Sequence, residues 1–452
     1  MTTSVDLIVI GTGPAASTVA REANNKGKRV AIVEERKFGG TCALRGCNPK
    51  KVYTNAADLV DQARRADGKL ARFGEIRINW PELLAFKREF TEPVIEKSEQ
   101  SFIKDGISTY HGTASFVNPR QVKVGEVLLE ASRILIATGA RPRPLNIPGE
   151  ELLISSDEFL ELRELPRRVT FIGGGYISME FSHVAARFGS HVTILESSPR
   201  VLSEFDPDLV EQLTNWSRET GIDIRAGSKA VKVEQLKNHK YVVTFDVHGK
   251  QSSLETDLVV HGAGRQPHIQ GLNLKAAEVA FNDQGIKVDE YLRSVTNPAV
   301  FAAGDCAATG MPRLTPTANE EARAVVKNLF TDAPTKRPHY GAIPQVCFTA
   351  PAIAAVGMDE ETIRSGGADV DVLKDDTSDW GSVRKTTQEC AGYKILVDKK
   401  SDLILGAHLL GPRAEEVINL FTLAIRYNLT ATQLKSTLFA FPTFGSDVRN
   451  MV

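Results

Sequence analysis

The chain has 452 residues, 42% apolar and 25% charged, a globular composition that excludes a fibre or a disordered chain and predicts about three domains. With 55 Lys and Arg against 56 Asp and Glu the net charge is −1, so no global basic excess invites nucleic acid or an anionic membrane. Five cysteines are too few for a disulfide scaffold and point to a reducing compartment. The N-terminus carries no basic leader, and Gly11, Gly13 and Pro14 break the apolar run at 7–20. A cytoplasmic protein without membrane or nucleic-acid partners is expected.

The first predicted element is a buried parallel strand, Val5 to Ile10, that ends at Gly11. The turn Gly11-Thr12-Gly13-Pro14-Ala15-Ala16 follows, then a helix through Asn24 and a strand from Arg29 to Val33 that ends in Glu34. This is a βαβ unit with a GxGxxA turn and an acid 23 residues after the first glycine. Next comes Gly39-Gly40-Thr41-Cys42-Ala43-Leu44-Arg45-Gly46-Cys47-Asn48-Pro49-Lys50. A strand from Arg133 runs into Ala137-Thr138-Gly139-Ala140, and the Pro-rich stretch from Arg141 to Pro148 reads as a linker. The βαβ pattern then returns. Val169 to Ile172 leads into Gly173-Gly174-Gly175-Tyr176-Ile177-Ser178, a helix to Phe188, and a strand His191 to Leu195 that ends in Glu196, again at a spacing of 23. Another strand, Val300 to Ala303, enters Gly304-Asp305. From about Tyr340 the pattern turns to alternating strands, such as Tyr393 to Val397 and Leu403 to Leu409, and a helix from Ala414 to Tyr427, an α+β arrangement.

The repeated turn has a physical purpose. Gly11, Gly13 and Ala16, and again Gly173 and Gly175, let the backbone approach a pyrophosphate at a helix N-terminus. Glu34 and Glu196 stand where a carboxylate accepts hydrogen bonds from a ribose. Two such units imply two dinucleotides, and a flavin with a nicotinamide allows electrons to pass between them. Cys42 and Cys47 lie close to the first of these sites. On a regular helix they would be rotated about 140° apart, so a bridge needs an irregular turn, for which Gly46 and Pro49 are suited. Two unrelated thiols, or half of a metal site, are the other readings; no second Cys/His pair with ligand spacing accompanies them.

Gly-Gly-Thr-Cys-x4-Cys-x-Pro-Lys after a GxGxxA–Glu unit resembles the class I pyridine nucleotide–disulfide oxidoreductases, a family that includes glutathione reductase, lipoamide dehydrogenase and mercuric reductase. The likeness continues through Ala-Thr-Gly at 137–139, Gly-Gly-Gly-Tyr-Ile-x-x-Glu at 173–180, Gly-Arg-x-Pro at 264–267 and Ala-Gly-Asp at 303–305. It implies an α/β fold with two Rossmann-like dinucleotide-binding domains, for FAD and NAD, plus a C-terminal α+β dimerisation domain. The implied limits are 1–145 and 265–335 for the FAD domain, 146–264 for the nicotinamide domain and 336–452 for the interface domain.

The resemblance also implies a homodimer in which electrons pass from the nicotinamide through FAD to a Cys42–Cys47 disulfide. Cys47 faces the flavin, and Cys42 is the thiolate that attacks a small disulfide or another acceptor. Lys50 pairs with Glu180 near the flavin, Tyr176 gates the nicotinamide and Asp305 holds the ribityl chain. Thr41, Ala114, Thr138, Gly139 and Gly264 are carried over as cofactor-binding positions. No metal ligands are expected. Glu196 favours NADH over NADPH, because a carboxylate repels a 2′-phosphate, although Arg200 stands nearby.

One part of the pattern is broken. The family's C-terminal His-Pro-Thr-x-x-Glu, whose His and Glu form an acid/base pair acting across the dimer, reads here Phe441-Pro442-Thr443-Phe444-Gly445-Ser446. A phenyl ring moves no proton. His408 reads as a structural residue in a strand, and Asp447 stands one position past the Glu slot. A disulfide substrate reduced without the usual pair is the first expectation; a metal ion, quinone or polysulfide acceptor is the alternative. Cys306, Cys347 and Cys390 read as buried thiols.

Overall fold

Leu7, Ile8, Val9 and Ile10 have no polar side chain to satisfy and are buried, as the centre of a parallel sheet demands. The computed structural model describes residues 2–452. One compact unit combines the chain up to Lys50 with Phe86–Arg143 and Arg265–Tyr340. Its sheet runs in the order Ser108–His111, Val30–Glu34, Thr2–Ile10, Val127–Ile136, Gln121–Val124, Ala114–Asn118, with Val300–Ala302 paired in parallel to Val127–Ile136. The helices Pro14–Asn25 and Thr315–Asn328 cover one face, where Ala16, Val19, Ala322 and Val325 pack on Leu7 and Val9. The small residues of the first turn of Pro14–Asn25 bring that helix close to the strand ends. Ala140–Pro142, expected in a linker, instead forms a short antiparallel pair with Arg265–Pro267. Two prolines deny that ribbon most of a ladder, which is why it reads as punctuation in the sequence.

The second unit comprises Lys51–Ala85, Pro144–Gly264 and Gly341–Val452. The repeated βαβ builds a parallel sheet in the order Ile222–Arg225, His191–Leu195, Arg168–Ile172, Leu258–His261. A three-stranded antiparallel sheet spans Ser228–Gln235, Tyr241–Val247 and Lys250–Thr256. The C-terminal part is a five-stranded antiparallel sheet under the helix Ala414–Arg426, with Ile418 and Phe421 packed on Ile395 and Ala407. Residues 51–85 pack in this unit rather than with the segment before them. Tyr53 and Trp80 are buried with Phe159 and Phe171, and donate to the carbonyls of Leu160 (3.1 Å) and Leu162 (2.8 Å). The change of unit falls inside one helix, Cys47–Ala66, so no composition break marks it. Among the described residues no helix is long and apolar enough to cross a membrane.

Within the second unit a buried charge cluster joins the nucleotide-type fold to the C-terminal sheet. Lys394 Nζ lies 2.7 Å from Asp206, 2.8 Å from Asp208 and 3.5 Å from Glu360. Asp206 also caps the helix Pro207–Glu219 by accepting from the Asp208 and Leu209 amides. Removing the cation leaves a buried carboxylate uncompensated. Lys394→Met is therefore expected to lower the unfolding free energy by about 3–5 kcal/mol, measured by chemical denaturation. A loss below about 1 kcal/mol would mean that the carboxylates are satisfied by other donors or by water.

Candidate functional site

The segment after the first βαβ breaks in the middle, and the break brings the two cysteines together. The short helix Gly40–Leu44 ends at Arg45, whose φ of −143° leaves helical geometry, and a new helix starts at Cys47. A Cβ on Gly46 would stand 3.0 Å from the Thr41 carbonyl oxygen, so a larger residue would crowd this close return of the chain. Cys42 is half-buried and Cys47 exposed, both as free thiols. Thr315 meets both: its hydroxyl donates to Cys42 Sγ at 3.4 Å and lies 3.5 Å from Cys47 Sγ. Thr315 is the first residue of the helix Thr315–Asn328, which has no side-chain cap, so the helix's positive end meets the sulfurs.

The two thiols are driven apart in acidity. Cys47 is lowered to about 6, first by the hydrogen bond from Cys42, with the Thr315 hydroxyl and the Lys50 charge adding to it. Cys42 is pushed far up, because it is the donor in that bond and because burial disfavours its charge. The pair thus holds one thiolate on Cys47 at neutral pH, with the proton kept on Cys42. Thr315 is a residue sequence reasoning missed, since 268 residues separate it from Cys47.

The two dinucleotide turns are built alike. A Cβ on Gly11, at φ +108°, would lie 2.3 Å from the Ala137 carbonyl; one on Gly173, at φ +96°, would lie 2.5 Å from Ala263 Cα. Each strand-end acid then clamps its own turn. Glu34 accepts from the Thr12 hydroxyl at 2.5 Å and the Arg36 amide at 3.0 Å. Glu196 accepts from the amides of Gly174 and Ser198, each at 2.5 Å. Thr12 and Gly174 occupy the same place in the two turns. Ala16 is fully buried, and Ser178, its counterpart, lies so close to Gly262 that a Cβ there would meet its hydroxyl at 1.9 Å. Arg200 is folded onto its own loop, donating to the carbonyls of Leu202 (2.9 Å), Ser203 (2.8 Å) and Phe205 (3.1 Å).

These residues fit two dinucleotides. Gly13 and Gly175 head the helices Pro14–Asn25 and Tyr176–Phe188 without any side-chain cap, and a Cβ on Gly13 would meet nothing within 4 Å, leaving room for a diphosphate. In the first unit Asp305 follows Gly304 at the end of the Val300–Ala302 strand. Burial holds its carboxyl up while Arg265 and Arg313 pull it down. The Thr317 hydroxyl, in the first turn of Thr315–Asn328, is buried without a hydrogen-bond partner among the described residues. Thr138 neighbours the Cys306 sulfur, the Gly139 carbonyl accepts from the His268 amide at 2.9 Å, and Ala114 is buried at the start of its strand. Gly264, at φ +96°, closes the second unit's middle segment before Arg265.

Tyr176 and Glu180 belong to the second unit, Lys50 to the first. Tyr176 is exposed at the head of its helix, and Cys347 Sγ lies 4.0 Å from its carbonyl. Glu180 is buried and accepts from the Phe348 amide at 2.9 Å, while Lys51 Nζ sits 4.0 Å over the Phe348 ring. At the C-terminus Phe441 is 86% exposed. Ser446 is tied into a capping box with Thr443, each side chain receiving the other's amide, at the start of Phe444–Met451. Asp447 faces Ser382 and Lys385, with burial raising its carboxyl. His408 is buried in Ile404–Gly411 with Nε2 3.3 Å from the Met358 carbonyl, and burial keeps it neutral. Cys306 and Cys390 are buried and their thiols are raised.

The profile described as pyridine nucleotide-disulphide oxidoreductase matches residues 5–322, and that of the same family's dimerisation domain matches 343–452. A glutathione reductase of Burkholderia cepacia is 33% identical over 98% of this chain and 97% of its own. A mercuric reductase of Bacillus cereus is 32% identical over 98% and 70%, and a dihydrolipoamide dehydrogenase of Chaetomium thermophilum 32% over 97% and 89%. Among solved structures, the Cu(II) complex of the HOCl-induced flavoprotein disulfide reductase RclA from Escherichia coli superposes with a TM-score of 0.88 at 26% identity, covering 99% of both chains. With two dinucleotide turns, a juxtaposed cysteine pair and both profiles in order along it, the chain belongs to the pyridine nucleotide–disulfide oxidoreductases.

Proposed function

We propose that this flavoprotein oxidoreductase uses NADH to reduce a small disulfide through Cys42 and Cys47, without the family's His–Glu pair. The observation that carries the reading is the unequal thiol pair under Thr315: a thiolate-favouring Cys47 beside a proton-bearing Cys42. FAD, when bound, supplies the two-electron link between the nicotinamide and the cysteines. In this reading Lys50 and Asp305 attend the flavin, and Tyr176 and Glu180 serve on the nicotinamide side, as the family resemblance implies. Cys47 is the more exposed residue of the two, which leaves it open to a bound flavin.

With the pair reduced, Cys42 passes its proton by way of the adjoining Cys47 thiolate to solvent and attacks one sulfur of the substrate disulfide, forming a mixed disulfide and releasing one thiolate. Cys47 then attacks Cys42, releases the second thiolate and restores the Cys42–Cys47 bond. Thr315 steadies whichever sulfur is anionic. With Phe441 in the His position, the leaving thiolates must take their protons from solvent, which favours substrates whose thiols are acidic. For the nicotinamide, Glu196 leaves no room for a 2′-phosphate charge and Arg200 is occupied by three carbonyls, which supports NADH.

A soft metal ion is the second reading. It is favoured by the Cu(II) complex of the solved relative, by the mercuric reductases among the sequence relatives and by the missing proton donor, which a metal acceptor does not need.

Three measurements test this. In the two-electron-reduced enzyme the long-wavelength thiolate–flavin band should fade as pH drops through about 6, where Cys47 takes its proton. Thr315→Val should move that fading upward by about one pH unit, the worth of one hydrogen bond to the thiolate; an unmoved titration would remove Thr315 from the site. Cys42→Ser should abolish disulfide turnover while NADH oxidation by artificial flavin acceptors persists, and surviving disulfide turnover would sink the relay. Phe441→His combined with Ser446→Glu should raise turnover of ordinary dithiol–disulfide substrates by about 10²-fold or more and leave metal-ion reduction unchanged. A gain with metal ions alone would reverse the order of the two readings.

A further inference from the structure

Behind the Gly304–Asp305 turn lies a second acid that none of the steps above uses. Glu321, in the middle of Thr315–Asn328, is 1% exposed. Its Oε2 accepts the Gly304 amide at 2.6 Å, and its Oε1 accepts the hydroxyls of Tyr340 at 3.0 Å and Thr309 at 3.2 Å. Among the described residues no Lys, Arg or His pairs with it. The titratable groups that face it are Tyr340, from the segment after the helix, and Asp305, from the turn, whose charge opposes its own. Arg265 and Arg313 act on Asp305 instead, and its helix neighbour Glu320 is turned to Arg323 and the His339 amide.

The donors on the two oxygens differ in a way that matters. The Gly304 amide can only donate, so Oε2 must remain an acceptor whatever the charge on Glu321. Tyr340 and Thr309 are hydroxyls, which accept as readily as they donate. A proton added to Oε1 therefore finds an acceptor by rotation of one hydroxyl, and the grip on the turn is unchanged. A buried carboxylate without a cation, holding three donors, is poised between its charge states: burial and Asp305 raise it to about 7 against those hydrogen bonds.

We propose that Glu321 is a positioning residue that takes up a proton from solvent when the bound flavin is reduced, holding the Gly304–Asp305 turn in both charge states. The proposal rests on FAD lying against that turn. The two electrons reach the flavin as hydride from the nicotinamide, or from dithionite in the test below; the bond formed on the protein is O–H at Oε1, with solvent as the proton's source. Negative charge arriving near a buried acid raises its affinity for a proton, so a site half-ionised near neutrality responds most.

The test is infrared difference spectroscopy of the holoenzyme, oxidised against fully reduced with dithionite. At about pH 8, where oxidised Glu321 is ionised, reduction should bring up a protonated-carboxyl band; below about pH 6, where it is already neutral, the band should be missing from the difference. Glu321→Gln should lose the band while retaining its flavin absorbance. Tyr340→Phe removes one donor to the carboxylate and should shift the band's pH dependence upward, which serves as the readout if the Gln variant fails to hold flavin. No band in wild type, the same band in Glu321→Gln, or an unshifted profile in Tyr340→Phe would each overturn the proposal. A purified protein that binds no flavin on reconstitution would overturn it through the cofactor reading instead, and is told apart by the visible spectrum alone.

Discussion

The chemistry proposed for this enzyme depends on a helix that is prevented from being continuous. If Gly40–Leu44 ran straight into Cys47–Ala66, the two sulfurs would point to different sides of one cylinder. Arg45 and Gly46 interrupt it, and the close approach of Gly46 to the Thr41 carbonyl sets the size of the step. Both sulfurs then meet a single hydroxyl at the head of a second helix. That one juxtaposition supplies proximity, a donor and the positive end of a helix. Without it, Cys42 and Cys47 would be two ordinary thiols with ordinary acidities.

Much of this arrangement is legible in the amino-acid sequence. Both dinucleotide turns, the strand-end acids and the C-terminal α+β sheet follow from local rules: glycine where backbones collide, apolar runs where a strand is buried, an acid at fixed distance. Thr315 is not legible, because nothing local marks a threonine at the start of a helix as the partner of cysteines near the other end of the chain. Glu321 is hidden for the same reason, its donors coming from Gly304, Thr309 and Tyr340 rather than from its own helix. Lys394 looks like one charge among 55 basic residues, and only the packing of Pro207–Glu219 on the C-terminal sheet shows it neutralising two aspartates. The transfer of residues 51–85 to the second unit leaves no mark in the sequence, because the helix that carries it has no composition break.

The two strand-end acids illustrate how a repeat is read twice. Glu34 and Glu196 each hold the second residue of the preceding turn, by a hydroxyl in one case and an amide in the other. A carboxylate that already closes the turn has a structural reason to be there, independent of any ribose. Its value in choosing between dinucleotides comes from what surrounds it. Four residues beyond Glu196, the Arg200 guanidinium donates to three carbonyls, so freeing it for a phosphate would cost the loop 200–205 its own organisation.

The altered C-terminus bears the same lesson in reverse. In this chain Thr443 and Ser446, at the Thr and Glu places of His-Pro-Thr-x-x-Glu, stand at the Ncap and N3 positions of Phe444–Met451, the spacing of a capping box. The Glu there has two tasks available to it: closing the helix start and orienting the His. Ser446 can perform only the first, and does so, exchanging hydrogen bonds with Thr443 at 3.1 and 3.2 Å. With Phe at 441, a carboxylate at 446 would have no imidazole to orient, while the helix start still needs its cap. A short hydroxyl meets that demand without adding a charge. Under the proposed reading, Phe441 and Ser446 keep the folding part of the motif and dispense with its proton transfer.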